Sequence, residues 1–326
     1  MSSPSGVQKV PIRFVPTRAA PNLPDRSDHR EGKVNWWSLL LLTRMHLFPM
    51  GSDLCIAPCI WGLLMAAHHI DFQPTNRVFW MLALWSFEQT VEHSAGCVLN
   101  DIFDRDVDGL VERSSGRPLV TGAVPLRQAV YLALFLHGII LGILGFCGIP
   151  TLCAGLVGIV FFGWPYPLMK RWTNWPQAWL GLTFGWGIMK GWLSLDADHY
   201  DTCVIAMLWC GNTCWTIVYD TIYACQDRKD DVRAGVKSTA VLFGERVRTV
   251  LSLFATVFVA CLFLAGVANE HGLWYFVVSV GGASCHLIWQ LYTINFENRD
   301  DCKRKFKSNG TLGLIVSLGL LCDYLL

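Results

Sequence analysis

Successive runs of about 20 apolar residues, separated by short polar segments, constrain this chain more than any other feature of its sequence. A helix of that length crosses a hydrocarbon layer of about 30 Å. Lipid offers no water to open backbone groups, so such runs must fold as helices packed on one another. Composition agrees: of 326 residues, 53% are hydrophobic and 16% charged, against roughly 25% charged in soluble domains. The chain reads as an all-α polytopic membrane protein with about nine transmembrane helices. The spans fall near residues 38–67, 78–99, 127–147, 149–166, 176–195, 202–224, 247–268, 273–294 and 309–326.

Total charge says little, because 26 Lys and Arg nearly balance 25 Asp and Glu and no net field steers the protein toward nucleic acid or an acidic partner. Its distribution says more. The loops after spans 2, 4, 6 and 8 hold Arg105, Arg113, Arg117, Lys170, Arg171, Arg228, Lys229, Arg233, Lys237, Arg299, Lys303, Arg304, Lys305 and Lys307, whereas those after spans 1, 3, 5 and 7 hold only Arg77. The positive-inside rule then puts the N-terminus and the even loops in the cytoplasm and the C-terminus outside. Residues 1–35 contain five of the 14 prolines and both charge signs, and read as a disordered cytoplasmic arm ahead of a membrane domain over 36–326. The arm has no apolar h-region, and its acids do not suit a transit peptide. The 13 cysteines are scattered without a CxxC pair, so they read as small core residues rather than a zinc or disulfide framework.

Two even loops carry dense acid as well as base. The runs NDIFDRDVD (100–108) and YDTIYACQD (219–227) align at Asp101 with Asp220 and at Asp108 with Asp227, and spans 1–4 and 5–8 form a possible four-helix repeat. If the helices continue beyond the membrane face, Asp101, Asp104 and Asp108 lie at i, i+3 and i+7, one side of a helix. Asp220, Asp227 and Asp231, at i, i+7 and i+11, would again share a side. Both segments leave the membrane on the same side, so up to six carboxylates can converge on one cavity mouth. Unit charges 4 Å apart repel by about 4 kcal/mol at an effective dielectric near 20. A divalent cation relieves this, and oxygen-only ligands select a hard ion; Mg²⁺ in particular keeps waters and accepts phosphate oxygens. The acids therefore point to Mg²⁺ and a phosphorylated ligand. Arg113, Arg117, Lys170, Arg171, Arg228 and Lys237 lie on the acidic side, where they can meet a diphosphate's outer oxygens, although each alone also satisfies the topology rule.

Together, NDIFDRDVD, the trailing ERSSGRPLVTG, the loop YPLMKRWTNWPQ and YDTIYACQDRKDDVRAGVKSTAVLFG resemble the UbiA superfamily of intramembrane prenyltransferases, in particular its 4-hydroxybenzoate polyprenyltransferase-like branch. The family motifs NDxxDxxxD and DxxxD are matched by Asn100, Asp101, Asp104 and Asp108, and by Asp227 and Asp231. The resemblance implies nine helices around a central cavity, with both aspartate motifs holding Mg²⁺ that binds an isoprenyl diphosphate. Leaving of pyrophosphate would generate an allylic cation, which an electron-rich aromatic carbon attacks. Phe103, Tyr166, Trp186 and Tyr223 are candidates to face that cation.

Polar residues inside the spans form a further tier, because each is costly in lipid. Arg44 resembles a family arginine that precedes Pro-x-Gly, here Pro49 and Gly51 one residue late, and is a candidate for the acceptor pocket with Asp220. Glu88, Glu92 and His93 precede the first motif; His93 stands where quinone-pathway members carry arginine. Lys190 is expected to snorkel to the outer face toward Asp196 or Asp198. These features favour farnesyl or similar transfer to an aromatic or pyrone acceptor in fungal meroterpenoid metabolism, in an endomembrane. The alternatives are the 4-hydroxybenzoate polyprenyltransferase of the mitochondrial inner membrane, an intramembrane terpene cyclase, and a secondary transporter.

Overall fold

The computed structural model describes residues 35–109 and 113–326; except for Asn35, the arm expected over residues 1–35 lies outside these. Among them there is no strand. The helices are α1 (Trp36–Leu42), α2 (Ser52–His69), α3 (Thr75–Asp108), α4 (Leu126–Phe146), α5 (Ile149–Trp172), α6 (Pro176–Leu193), α7 (Thr202–Ala224), α8 (Arg228–Ala234), α9 (Thr239–Ala268), α10 (273–293) and α11 (Arg299–Leu325). Five of them, α4, α5, α7, α9 and α11, are long and apolar enough to cross a membrane. The remaining expected spans coincide with α2, α3, α6 and α10, which are less apolar. Polar side chains turned into the bundle account for this: Glu88 and Gln89 on α3, Lys190 on α6 and Gln290 on α10 are all buried.

Helix α6 lies at the heart of the bundle, between α2 and α7. Two small-xxx-small pairs let it sit there. A Cβ on Gly191 would come 2.2 Å from the Cys59 carbonyl oxygen, and one on Gly62 2.1 Å from that of Ile188, so α2 and α6 touch backbone to backbone. Toward α7, a Cβ on Gly181 would meet the Thr213 backbone at 2.7 Å. α9 and α11 pack on the far side of α7, and α3 and α4 close the bundle beside α2.

Two breaks depart from the sequence reading. The first span is not one helix: the chain turns between α1 and α2, with Arg44 at φ 61° and Gly51 at φ 91°. Gly51 is required there twice, since its φ is left-handed and a Cβ would come 2.7 Å from His93 Nε2. The second break follows α7, which stops at Ala224; a turn over 225–227 separates it from α8. Asp220, Asp227 and Asp231 therefore do not share one helical face. In α5 a π-helical segment over Gly158–Gly163 brings Ile159 and Gly163 to the cavity, a distortion common near functional sites.

Candidate active site

A cavity of about 300 Å³ opens between α2, α3, α4, α5, α6 and α7. Apolar groups such as Ile140, Ile159, Leu180 and Phe184 line much of it. Asn100, Asp101, Arg44, Arg113, Arg117, Lys170, Asp220, Tyr166 and Tyr223 form its polar mouth, and His93, Glu92 and Gln89 lie deeper along α3.

The one-sided spacing of Asp101, Asp104 and Asp108 over two turns of α3 holds, and each meets a base. Arg44 Nη2 donates to both carboxylate oxygens of Asp101, at 2.7 and 2.9 Å. Arg117 Nη1 lies 2.9 Å from Asp101 and also pairs with Asp108. Lys170, from the end of α5, donates to Asp104 at 3.1 Å. Asp101 is 1% exposed, so without these partners its charge would be very costly. The second motif enters through Arg113, whose Nη2 donates to Asp227 at 2.7 Å and whose Nη1 donates to the Tyr223 hydroxyl at 3.1 Å. Burial works against its charge, yet Tyr223 and Asp227 together hold that guanidinium more firmly protonated than usual. Asp231 lies one helical turn further, on α8. Burial, then the nearby Asp227 charge, push its pKa up to about 6, while Lys170 and Arg113 act in the opposite sense.

Lys170 thus holds the first acidic segment and Arg113 the second at one end of the bundle, and both bases act on Asp231. Their donors are carboxylate oxygens, the set that suits a hard cation such as Mg²⁺. Apart from the Tyr223 hydroxyl, each of these contacts is carboxylate to base. A metal at the carboxylates and a diphosphate at the bases would give each set a new partner of opposite sign.

Several sequence expectations land elsewhere. Arg171 donates to the Phe103 carbonyl at 2.7 Å, Lys237 reaches the Trp172 carbonyl at 3.4 Å, and Arg228 is turned to Glu297 and the Gly244 carbonyl. These three tie the loops together instead of lining the cavity, because backbone carbonyls and Glu297 lie closer. Phe103, 41% exposed, faces away on α3, since the three aspartates hold the inward side of that helix. Trp186 is not among the lining residues; its Nε1 donates to the Ala154 carbonyl at 2.7 Å, fixing α6 to α5. Lys190 does not snorkel outward. It is 3% exposed and pairs with Glu88, at 3.4 Å, and with Glu92. An inward partner on α3 outweighed the route to water.

Sequence reasoning missed Gln89, His137, Tyr219 and Phe306, all of which line the cavity. For Gln89 a signal existed, one helical turn from His93. Phe306 reaches the site from α11 and had none. At the opposite end, His68, His271 and Asp323 come together, with their ligand atoms within 4.8 Å of one another. There Asp323 accepts from the backbone of Gly272 at 2.9 Å and Tyr275 at 3.3 Å, which ties the start of α10 to α11.

Residues 55–315 match the model of the UbiA prenyltransferase family. Among curated relatives, the UbiA prenyltransferase claS of Ampulloclitocybe clavipes is 42% identical over 296 residues, covering 90% of this chain and 92% of that protein. The mitochondrial 4-hydroxybenzoate polyprenyltransferase of Schizosaccharomyces pombe is 39% identical over 281 residues, covering 85% and 77% respectively. Among solved structures, an apo UbiA homologue from Aeropyrum pernix K1 superposes with a TM-score of 0.70 at 21% identity, over 83% of this chain and 97% of that one. A UbiA homologue from Archaeoglobus fulgidus bound to GPP and Mg²⁺ superposes at 0.62 with 17% identity, over 89% and 100%. The structures share the fold and the sequence relatives the family: this chain belongs to the UbiA prenyltransferases, membrane-embedded enzymes that transfer isoprenyl groups.

Proposed function

We propose that the enzyme transfers a farnesyl or similar chain from its diphosphate to an aromatic or pyrone acceptor by electrophilic substitution. The observation that carries this is the cluster in which Asp101, Asp104, Asp108 and Asp227 pair with Arg44, Arg117, Lys170 and Arg113, with Asp101 and all four bases lining one cavity with an apolar interior. The bases take the diphosphate oxygens and hold the C1–O bond at the mouth, with the chain along Ile140, Ile159, Leu180 and Phe184. When bound at the five aspartates, Mg²⁺ supplies neutralising charge to the departing diphosphate, worth several kcal/mol of transition-state stabilisation. Tyr166 and Tyr223 line the mouth, where an aromatic face turned to a developing allylic cation would stabilise it by about 0.5–2 kcal/mol. A cavity of this kind also excludes water, which would otherwise capture the cation. Asn100 and Asp220 complete the polar wall, and His93 faces the acceptor.

In this reading the domain 36–326 spans the membrane about nine times, with the aspartate end in the cytoplasm or its topological equivalent. The relative named claS is compatible with a role outside quinone synthesis. Membership of 4-hydroxybenzoate transfer, in the mitochondrial inner membrane, is an equal second reading, favoured by the names of the relatives from yeast to mammals; those names do not favour an endomembrane. Membranes incubated with radiolabelled farnesyl diphosphate, Mg²⁺ and a panel of phenolic acids, phenols and pyrones test it. Prenylated product is expected. Cyclic hydrocarbon would identify a cyclase instead, and uptake without turnover a carrier.

A further inference from the structure

One group of charges inside the bundle has no part in the diphosphate site. Glu92 lies nine residues before Asp101 on α3, about 13 Å deeper along the helix axis, and lines the cavity. Lys190 of α6 is buried between Glu92 and Glu88, with the Trp85 ring 6.0 Å from its Nζ. Gln89 donates to Glu88 at 2.7 Å and to Glu92 Oε2 at 3.0 Å. Among the described residues both contacts of Glu92 use Oε2, which leaves Oε1 as an available acceptor on a side chain that reaches the cavity. Glu88 and Lys190 do not reach it.

Ionisable groups so deep in a membrane protein are expensive and mark function by default. The chemistry of this one selects its ligand. An isoprenyl tail offers a carboxylate nothing, and a diphosphate would be repelled from two glutamates balanced by a single lysine. A hydroxyl donor satisfies Oε1 in full. We propose that Glu92 is the subsite for the acceptor's phenolic hydroxyl, and that Lys190, clamped by Glu88, is the positioning residue that aims its carboxylate into the cavity. An acceptor then enters hydroxyl first, and one presenting a carboxylate or an ether at that end is rejected. The Glu92 side chain is 28% exposed and faces the cavity, so an acceptor that fills the cavity displaces water from Oε1, and only one with a hydroxyl there replaces the lost hydrogen bond.

The inference rests on the prenyl transfer proposed above, so the test separates the two. The probes are 4-hydroxybenzoate and hydroquinone, with their O-methyl ethers 4-methoxybenzoate and 1,4-dimethoxybenzene, each with farnesyl diphosphate and Mg²⁺. The wild type is expected to prefer each free phenol over its ether by at least about tenfold in kcat/KM, the effect of a hydrogen bond to a charged group. Glu92→Gln leaves the Lys190–Glu88 pair in place. It is expected to raise KM for the phenol by about tenfold while KM for farnesyl diphosphate stays within about twofold. Lys190→Arg should retain the wild-type preference, and the charge-balanced double variant Glu88→Gln/Lys190→Met should lose it. An acceptor KM unchanged in Glu92→Gln, or equal shifts in both KM values, overturns the inference alone. Should Glu92→Gln not fold, a wild type indifferent to O-methylation does the same. A wild type that prenylates none of these probes overturns transfer to a phenol and this inference with it.

Discussion

At the residue level, the two acidic motifs differ in how their charge is held. Asp101, Asp104 and Asp108 each sit against a base, whereas Asp231 has no salt-bridge partner among the described residues. Asp231 is pushed up to about 6 by burial and by Asp227, from 3.8. Its folded form binds the proton more tightly than the unfolded chain. Between about pH 4 and 6 this group therefore favours folding less as pH rises, and above that range its contribution is constant. A metal needs the carboxylate, so metal affinity moves the other way. The Mg²⁺ concentration for half-maximal activity should be about tenfold higher at pH 5 than at pH 7. Asp231→Asn should abolish turnover while leaving the protein inserted and its thermal midpoint unchanged or raised. Full activity in that variant would remove Asp231 from the metal site. His93→Arg, in contrast, should leave diphosphate binding alone and change the choice of acceptor, which the acceptor panel reads directly; an unchanged ranking would remove His93 from the pocket. The acids were legible in sequence because three of them recur at helical spacing on one helix. Their partners were not: Arg44, Arg113 and Lys170 come from three separate segments, and only the packed bundle says which base meets which acid. Lys190 shows the same limit. Its position near the end of a span suggested water as its partner, whereas Glu88 and Glu92 wait on another helix.

At the level of elements, apolar runs located the helices well, since lipid and core impose the same demand on α4, α5, α7, α9 and α11. The ends were less legible. α3 runs on to Asp108 and α11 starts at Arg299, because amphipathic turns beyond the apolar core keep their backbone bonds in water as readily as in lipid. What pattern alone could not place is the order of packing around α6. That order is set by glycines whose role shows only when two backbones meet. Gly62→Val should separate α2 from α6 and destabilise the protein by about 1–3 kcal/mol, the usual cost of overpacking. Gly142→Ala on α4, where a Cβ meets nothing within 4 Å, should be neutral or slightly stabilising through helix propensity. Thermal unfolding of the detergent-solubilised variants compares them. Equal midpoints would mean that the α2–α6 contact is not close enough to matter.

Across the whole molecule, the same pairings make the two halves of the ligand interdependent. Arg44 and Arg117 occupy Asp101, Lys170 occupies Asp104 and Arg113 occupies Asp227. A divalent cation arriving alone would set four bases adrift in a half-buried mouth. A diphosphate arriving alone would strip the bases from the acids and leave carboxylates facing one another. Only the two together give both the acids and the bases a new partner of opposite sign. Stabilisation should therefore be far from additive: Mg²⁺ alone and a non-hydrolysable farnesyl diphosphate analogue alone should each raise the thermal midpoint little, and the two together by several degrees, as expected for a ligand near 100 Kd, worth about 2.7 kcal/mol. EDTA should cancel the joint effect and activity alike. The surplus should vanish in Asp227→Asn, where Arg113 loses its carboxylate and no exchange is possible on that side. Shifts that simply add would mean that cation and diphosphate bind to separate parts of the bundle, and that the ion pairs seen at the mouth only fasten its loops.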